Sequence, residues 1–419
     1  MNPPSKDNVT RVLSKDAFSL SLPGLGRADG AQLGANNPCE DRLNRAHSIS
    51  LWEGEKWIAA TVFDGHVGWQ NADHLEKNLI NAVRAKLEEL QSGSRTDDKI
   101  QGAIERAFVD LDSALINDFI SRATDKAVPL ETKVQYMEVA WSGSCALMVL
   151  YNPATRTLYT ACTGDSRAIL GQQNPDTLWE AEALSEDQNC ANEAEIARIN
   201  REHPNEDIAV HNGRILGLAV CRAFGDFRWK SSYEMQLEFS KRFMSCPPNE
   251  KREILTPPYL IATPVVTVQK LTSELPSFVV LATDGLWYNC ENYEVGDLVV
   301  QWLEAQPAAS IKAMGLEPLE MTADTVSWKK EPLQAPTYDP GFDFLERWDK
   351  LFDVRFLSSK TTIQDDNVAV HLMRNALGGN HRELLAGNVA IRAPYARDVR
   401  DDITIQVLFF PGVRSEQSE

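Results

Sequence analysis

Apolar and polar positions along this chain follow two periods, and the switches between them mark its elements. In "AHSISLWEGEKWIAATVF", residues 46–63, two β-prone runs flank the polar turn "EGEK", which predicts a hairpin. The following "GWQNADHLEKNLINAVRAKLEEL" moves to three- and four-residue steps, with Ala72, Leu75, Leu79, Ala82, Val83 and Leu87 on one face, and predicts an amphipathic helix. A second helix is expected over "KIQGAIERAFVDLDSALINDFI". After a break at "DKAVPLETK" comes a second hairpin, "SCALMVLYNPATRTLYTACTG", turning at "NPATR". Farther on, "NEAEIARINREHP" reads as a short helix stopped by Pro204, and "GRILGLAVCRAFGDF" as a strand or loop of small residues. The run "SFVVLATDGLWYN" reads as a buried strand entering a turn, with a helix in "ENYEVGDLVVQWLEA". A helix in "DNVAVHLMRNALGG" and a β-branched strand in "RDDITIQVLFF" close the pattern. Residues 1–32 are polar and Gly-containing and read as an N-terminal arm. Residues 33–412 form one domain carrying an irregular surface insertion at 306–362, and 413–419 form a tail. Strands in hairpins and helices in pairs predict an α+β sandwich over a doubly wound parallel sheet.

Composition narrows the partners. A chain of 419 residues, 43% hydrophobic and 24% charged, can bury a full core. Its formal charge of -18 argues against sequence-independent binding to nucleic acid or to an anionic membrane. The seven cysteines are scattered and never spaced as CxxC, so they read as free thiols in a reducing compartment, outside any zinc site or disulfide framework. No apolar run reaches the roughly 18 residues of a membrane span. The N-terminus lacks a signal-peptide core and an Arg-rich transit helix, and a removed leader leaves organelle import open.

The candidate chemistry lies in carboxylates at strand ends. "WIAATVF" runs into Asp64, "LYTACTG" into Asp165 and "FVVLAT" into Asp284, while Asp401 precedes "DITIQVLFF"; Glu40 and Asp41 stand just before the first hairpin. A packed sheet could bring up to six carboxylates to one rim, where like charges raise one another's pKa unless a cation compensates. All-oxygen ligands suit a hard ion, Mg²⁺ or Mn²⁺, and two such ions about 4 Å apart would clamp an in-line displacement. Gly65 would let its carbonyl approach a metal, and His66 is placed to protonate a leaving alkoxide. Against this stands the plainer meaning of an Asp-Gly after a strand, a turn. Arg42 and Arg167 could simply neutralise neighbouring acids, and His74, His203, His211, His371 and His381 read as surface or capping residues.

In order, "CEDR", "VFDGHVG", "SGSCALMVLY", "TGDSRAIL", "LSEDQN", "LAVCRAFGDF", "VVLATDGLWYN" and "RDDITIQVL" resemble the protein phosphatase 2C family of metal-dependent serine/threonine phosphatases, over about residues 33 to 410. The resemblance implies a four-layer α-β-β-α sandwich of two antiparallel sheets flanked by helices, a 2C-type catalytic domain over 33–412, and a dinuclear Mg²⁺/Mn²⁺ centre with room for a third ion. It places Asp64 as the bridging ligand with the Gly65 carbonyl beside it, and Asp284 and Asp401 on the first metal. Glu40 faces the second, with Asp41 adjacent. Asp165 takes the third-metal position and His66 the general-acid position. Asp402 stands where many members have Asn. Where many members have a phosphate-gripping arginine this chain has Asn36, which with the metals would take over the substrate phosphate; the pyruvate dehydrogenase phosphatase branch has Asn there too, and "NEAEIARINREHP", "GRILGL" and "TPPYLIATPVVTV" also resemble it. That branch implies a mitochondrial matrix enzyme acting on phosphorylated pyruvate dehydrogenase E1, with docking on E2; "SEDQN" departs from its usual His after Asp. A phosphatase acting on another phosphoprotein, and a catalytically dead phosphatase fold serving as a binding module, are the alternatives. The retained carboxylates Glu40, Asp64, Asp284 and Asp401 weigh against the latter.

Overall fold

The computed structural model describes residues 6–412 apart from 53, 174–178, 207, 209, 244–253, 273–274 and 317–359. The strands are β1 (Phe18–Leu22), β2 (Leu25–Leu33), β3 (Arg42–Leu51), β4 (Glu55–His66), β5 (Gly143–Asn152), β6 (Thr157–Thr163), β7 (Arg167–Gln173), β8 (Trp179–Ala183), the two-residue β9 (Val210–His211), β10 (Arg214–Ile215) and β11 (Phe224–Gly225), then β12 (Val265–Lys270), β13 (Ser277–Ala282) and β14 (Ile403–Phe410). One sheet has the order β1-β2-β14-β13-β7-β8 and the other β12-β6-β5-β4-β3, with β11 added to β5. All ladders of both sheets are antiparallel.

The period of two along each strand builds the layers. In β4, Ile58, Ala60 and Val62 face β7, β13 and β14 across the inter-sheet core, while Ala59 and Phe63 face helices Gln70–Glu88 and Asp97–Thr124. In β13, Val279 and Leu281 point inward, whereas Phe278, Val280 and Ala282 pack under helices Asn292–Ala305, Val368–Ala376 and Arg382–Ala390. Each central strand is buried on both faces, which is why "SFVVLA" is a continuous apolar run in an antiparallel sheet. Two sheets flanked by helices make the expected α-β-β-α sandwich.

The N-terminal segment differs from its reading as an arm. Helix Lys6–Leu13 packs into the first outer layer, and β2 lies between β1 and β14, paired from Arg27↔Phe409 to Leu33↔Ile403. Gly30 and Asp29 gave the stretch its loop-like composition, and tertiary contacts use both. A Cβ on Gly30 would stand 2.2 Å from the Phe18 ring. The fully buried Asp29 accepts from Arg27 Nε at 2.7 Å and from the Val368 N–H at 2.9 Å, at the start of helix Val368–Ala376. Helix Leu130–Trp141, within and beyond the expected break, gave little periodic signal because Ala140 is its one buried residue. Of the expected insertion, Ala308–Ala313 is helical and 317–359 lies outside the described residues.

Candidate metal centre and active site

Several strand ends converge at one rim of the sandwich. β4 does not stop at Asp64; it pairs on through Gly65 and His66 against Ser144 and Gly143, and the chain turns only at Val67, whose φ is 58°. Asp64 is thus held by a ladder. Asp165 follows β6 across Gly164, where φ is 105° and a Cβ would lie 2.3 Å from Cys145 Sγ. Asp284 opens the short helix Asp284–Trp287 just after β13. Oxygens of Asp64, Asp165 and Asp284 lie within 4.8 Å of one another.

Burial raises all three carboxyl pKa values. Asp165 is pushed up to about 7 by burial and then by the charge of Asp64. Asp284 is raised by burial, then by Asp64, Asp165 and Asp41. Asp64 is raised by burial against the pull of nearby His66. Such a group needs protons or a cation among its oxygens, and an all-oxygen set without thiolate fits a hard divalent ion.

The other expected ligands are outside this 4.8 Å set but lie close enough for their charges to be felt: Asp41 is raised by Asp64 and in turn raises Asp284. Glu40 Oε1 accepts from the Gly68 N–H at 2.6 Å and Oε2 from Asn36 Nδ2 at 3.0 Å. The second Nδ2 hydrogen of Asn36 goes to Asp402 Oδ2, also at 3.0 Å, so the amide expected to hold phosphate is committed to two carboxylates. Asp402 itself accepts from the backbone N–H groups of Ala35, Asn36 and Glu40, and so pins the loop that carries Glu40. Asp41 is buried, accepting from Thr283 Oγ1 at 2.9 Å and Thr404 Oγ1 at 2.7 Å; it ties the two sheets together beside the trio. Asp401 Oδ1 accepts from the Asp402 N–H and pairs with Arg397. Gly65 is required by the backbone of Glu40, whose carbonyl oxygen would stand 2.3 Å from any Cβ there.

His66 has a partner that the sequence pattern did not expose. Its Nε2 lies 2.6 Å from Oδ2 of Asp226, a carboxylate with no solvent exposure, while about a quarter of the imidazole (26%) remains accessible. Burial disfavours the imidazolium, but the charges of Asp226, Asp64 and Asp165 outweigh it and raise the pKa to about 9. Asp226 is presented from a left-handed backbone, φ 50°, that aspartate tolerates. The preceding Gly225 donates its N–H to Asp112 Oδ1 at 2.8 Å, and Lys230 binds Asp112 Oδ2 at 2.6 Å, which locks the turn. Gly143 keeps the space open: a Cβ would stand 2.1 Å from His66 Nε2 and 2.3 Å from Asp226 Oδ2.

Residues 30–326 match the family model described as protein phosphatase 2C. The chain belongs to the protein phosphatase 2C family. It is 32% identical to a protein phosphatase 2C homolog of Schizosaccharomyces pombe, over 97% of this chain and 86% of that protein. It is 33% identical to mitochondrial [pyruvate dehydrogenase [acetyl-transferring]]-phosphatase 1 of Saccharomyces cerevisiae, over 92% of this chain and 69% of that one. The solved serine-threonine phosphatase 2C of Toxoplasma gondii shares the fold, with a TM-score of 0.52 at 16% identity, covering 94% of this chain and 99% of that one. Membership makes the chain a metal-dependent serine/threonine phosphatase of the 2C class, and its acidic trio provides a hard-cation donor set.

Within this 2C frame, the two arginines read as neutralising neighbouring acids do pair, with other acids than expected. Arg167 grips Asp187 of "LSEDQN" through two bonds, at 2.8 and 2.6 Å, and Arg42 reaches Asp73 at 3.5 Å. His371, expected at the surface or at a cap, is buried within helix Val368–Ala376, whereas His203 and His381 are caps, of helices Glu193–Glu202 and Arg382–Ala390. Asp226 was visible only as part of "LAVCRAFGDF". Its signal was a glycine followed by a short polar residue, a left-handed turn signature, but nothing in one dimension aims that carboxylate at His66.

Proposed function

We propose that this chain hydrolyses phosphoserine and phosphothreonine in proteins by direct attack of water, with phosphorylated pyruvate dehydrogenase E1 as its substrate, E2 as a docking partner and the mitochondrial matrix as its site of action. The carboxylate trio beside a charged, partly exposed His66 carries the chemistry. The likeness to the pyruvate dehydrogenase phosphatases of yeast and of cattle, 33% and 28% identical, supports the substrate and the compartment. When bound by Asp64, Asp165 and Asp284, with Asp401, Glu40 and the Gly65 carbonyl alongside, two or three Mg²⁺ or Mn²⁺ ions would supply positive charge and lower the pKa of a water. The protein's own residues do the rest. Asn36 and the Gly68 N–H fix the Glu40 carboxylate, and Asp402 holds its loop. The phosphorus–Oγ bond breaks as water attacks, and the departing oxygen takes the proton from His66, which Asp226 keeps charged and oriented. Neutral phosphoenzyme chemistry at Asp64 is disfavoured, because the second acid it would need two residues on is His66.

The test is release of phosphate from phosphorylated E1 beside an unrelated phosphoprotein, with Mn²⁺ or Mg²⁺ titrated. Hydrolysis should vanish in excess chelator and in Asp64→Asn, and E1 should be preferred. Activity persisting in chelator would sink the mechanism; equal rates on both proteins would sink the substrate.

A further inference from the structure

A phosphate dianion held at this rim needs a donor besides any metal, and Asn36 offers none, since both Nδ2 hydrogens are spent on Glu40 and Asp402. The arginines of the neighbouring segments divide clearly. Arg42 and Arg167 pair with Asp73 and Asp187, and Arg400 is buried with its Nε on the Asn388 carbonyl. Arg397 is different. It sits in the turn Tyr395–Asp398, its Nη1 pairs with Asp401 four residues on, and 47% of its side chain is exposed. Through Asp401, whose Oδ1 accepts from the Asp402 N–H, it is linked to the carboxylate that holds Asn36 and the Glu40 loop. Arg397 and Asn36 thus contact adjacent carboxylates, Asp401 and Asp402, of one segment.

We propose that Arg397 is the phosphate-binding arginine of this site, supplied from the segment before β14. The inference rests on the phosphatase activity proposed above. A guanidinium presents parallel N–H groups that fit two oxygens of a phosphate, which a lysine cannot reproduce. Its resting partner is a half-exposed ion pair within one turn of chain, of small net worth and readily exchanged. A cation on Asp401 would weaken that pair further by competing for the same charge. The substrate phosphate would then be bridged between the carboxylate-held ions and Arg397, with Asn36 left in its positioning role.

The experiment uses the full chain with saturating Mn²⁺, a phosphoserine peptide, and inorganic phosphate as competitive inhibitor. Arg397→Ala should raise KM and the inhibition constant for phosphate by about 10- to 100-fold, leave kcat within a few-fold, and leave the Mn²⁺ activation constant unchanged or lower, since it removes a competitor for Asp401. Arg397→Lys should fall between the two. Phosphate should raise the melting temperature of the Mn²⁺-loaded wild type and fail to do so for Arg397→Ala, a readout that needs no turnover. An unchanged phosphate inhibition constant, or a change confined to the Mn²⁺ constant, would make Arg397 a partner of Asp401 only and overturn the proposal. A wild type that hydrolyses no phosphopeptide would instead overturn the proposed function.

Discussion

At the scale of single residues, the site depends on pairs that share one geometry and split the work. His66 comes from the end of β4 and Asp226 from a left-handed turn 160 residues later, and their contact at 2.6 Å holds the imidazole in its charged, proton-donating form. Asp226 touches no reacting atom, so it is a positioning residue, and its loss should depend on how much the leaving oxygen needs a proton. We expect Asp226→Asn to slow hydrolysis of a phosphoserine peptide by about 10²-fold, because an alkoxide leaves poorly. Hydrolysis of p-nitrophenyl phosphate, whose phenolate leaves unaided, should fall by less than about tenfold. Equal losses on both substrates would mean that Asp226 only supports the fold. Glycines serve the same pair: Gly143→Ala would place a methyl group on the His66–Asp226 contact and should mimic Asp226→Asn.

At the scale of elements, the outer layer on the first sheet shows how a buried polar group sets a pH limit. Helix Val368–Ala376 starts at the Asp29 carboxylate and packs against helix Asn292–Ala305 through His371. The imidazole is fully buried and donates from Nε2 to the Leu298 carbonyl at 3.0 Å, while its Nδ1 lies 3.2 Å from Asn375 Nδ2, whose hydrogens go to the Thr362 and His371 carbonyls. Burial lowers the pKa from 6.5 to about 4, with the Arg374 cation assisting and the Asp365 carboxylate and the Leu298 and Thr362 carbonyls opposing. Because the folded pKa lies below the unfolded one, the stability it contributes is present above pH 6.5 and is lost as pH falls toward 4. The gap is worth on the order of 3 kcal/mol. Urea unfolding at pH 7 and pH 4.5 should show the loss, and His371→Gln should remove that part of the pH dependence; identical pH slopes in variant and wild type would refute it.

At the scale of the whole molecule, the sandwich collects carboxylates at one rim and pays for it in stability. The folded pKa of Asp165, about 7, lies above its unfolded value, so its contribution is favourable at low pH and is lost as pH rises through 7. Asp165→Asn should therefore raise the melting temperature of the chelator-treated protein at pH 8 while reducing the stabilisation that Mn²⁺ gives the wild type. A lower melting temperature than wild type in chelator would contradict the repulsion. Much of this was legible along the chain: periods of two and three to four located the hairpins and helices, and the apolar runs ending in Asp64, Asp165 and Asp284 located the trio, because a strand that is buried on both faces leaves its signature in every residue. Local sequence also specified where the chain must turn, at Gly164 and Gly225. What required the fold was every relation across long separations. β2 is a central strand because Phe18 fills the space over Gly30 and Val368 needs Asp29, contacts no local window contains. The convergence of Asp64, Asp165 and Asp284, and the meeting of Asp226 with His66, were likewise decided by packing. Side-chain type and spacing determine which groups a rim can hold; only the tertiary structure determines which of them share it, since a carboxylate's partner is chosen by distance and burial and not by order along the chain.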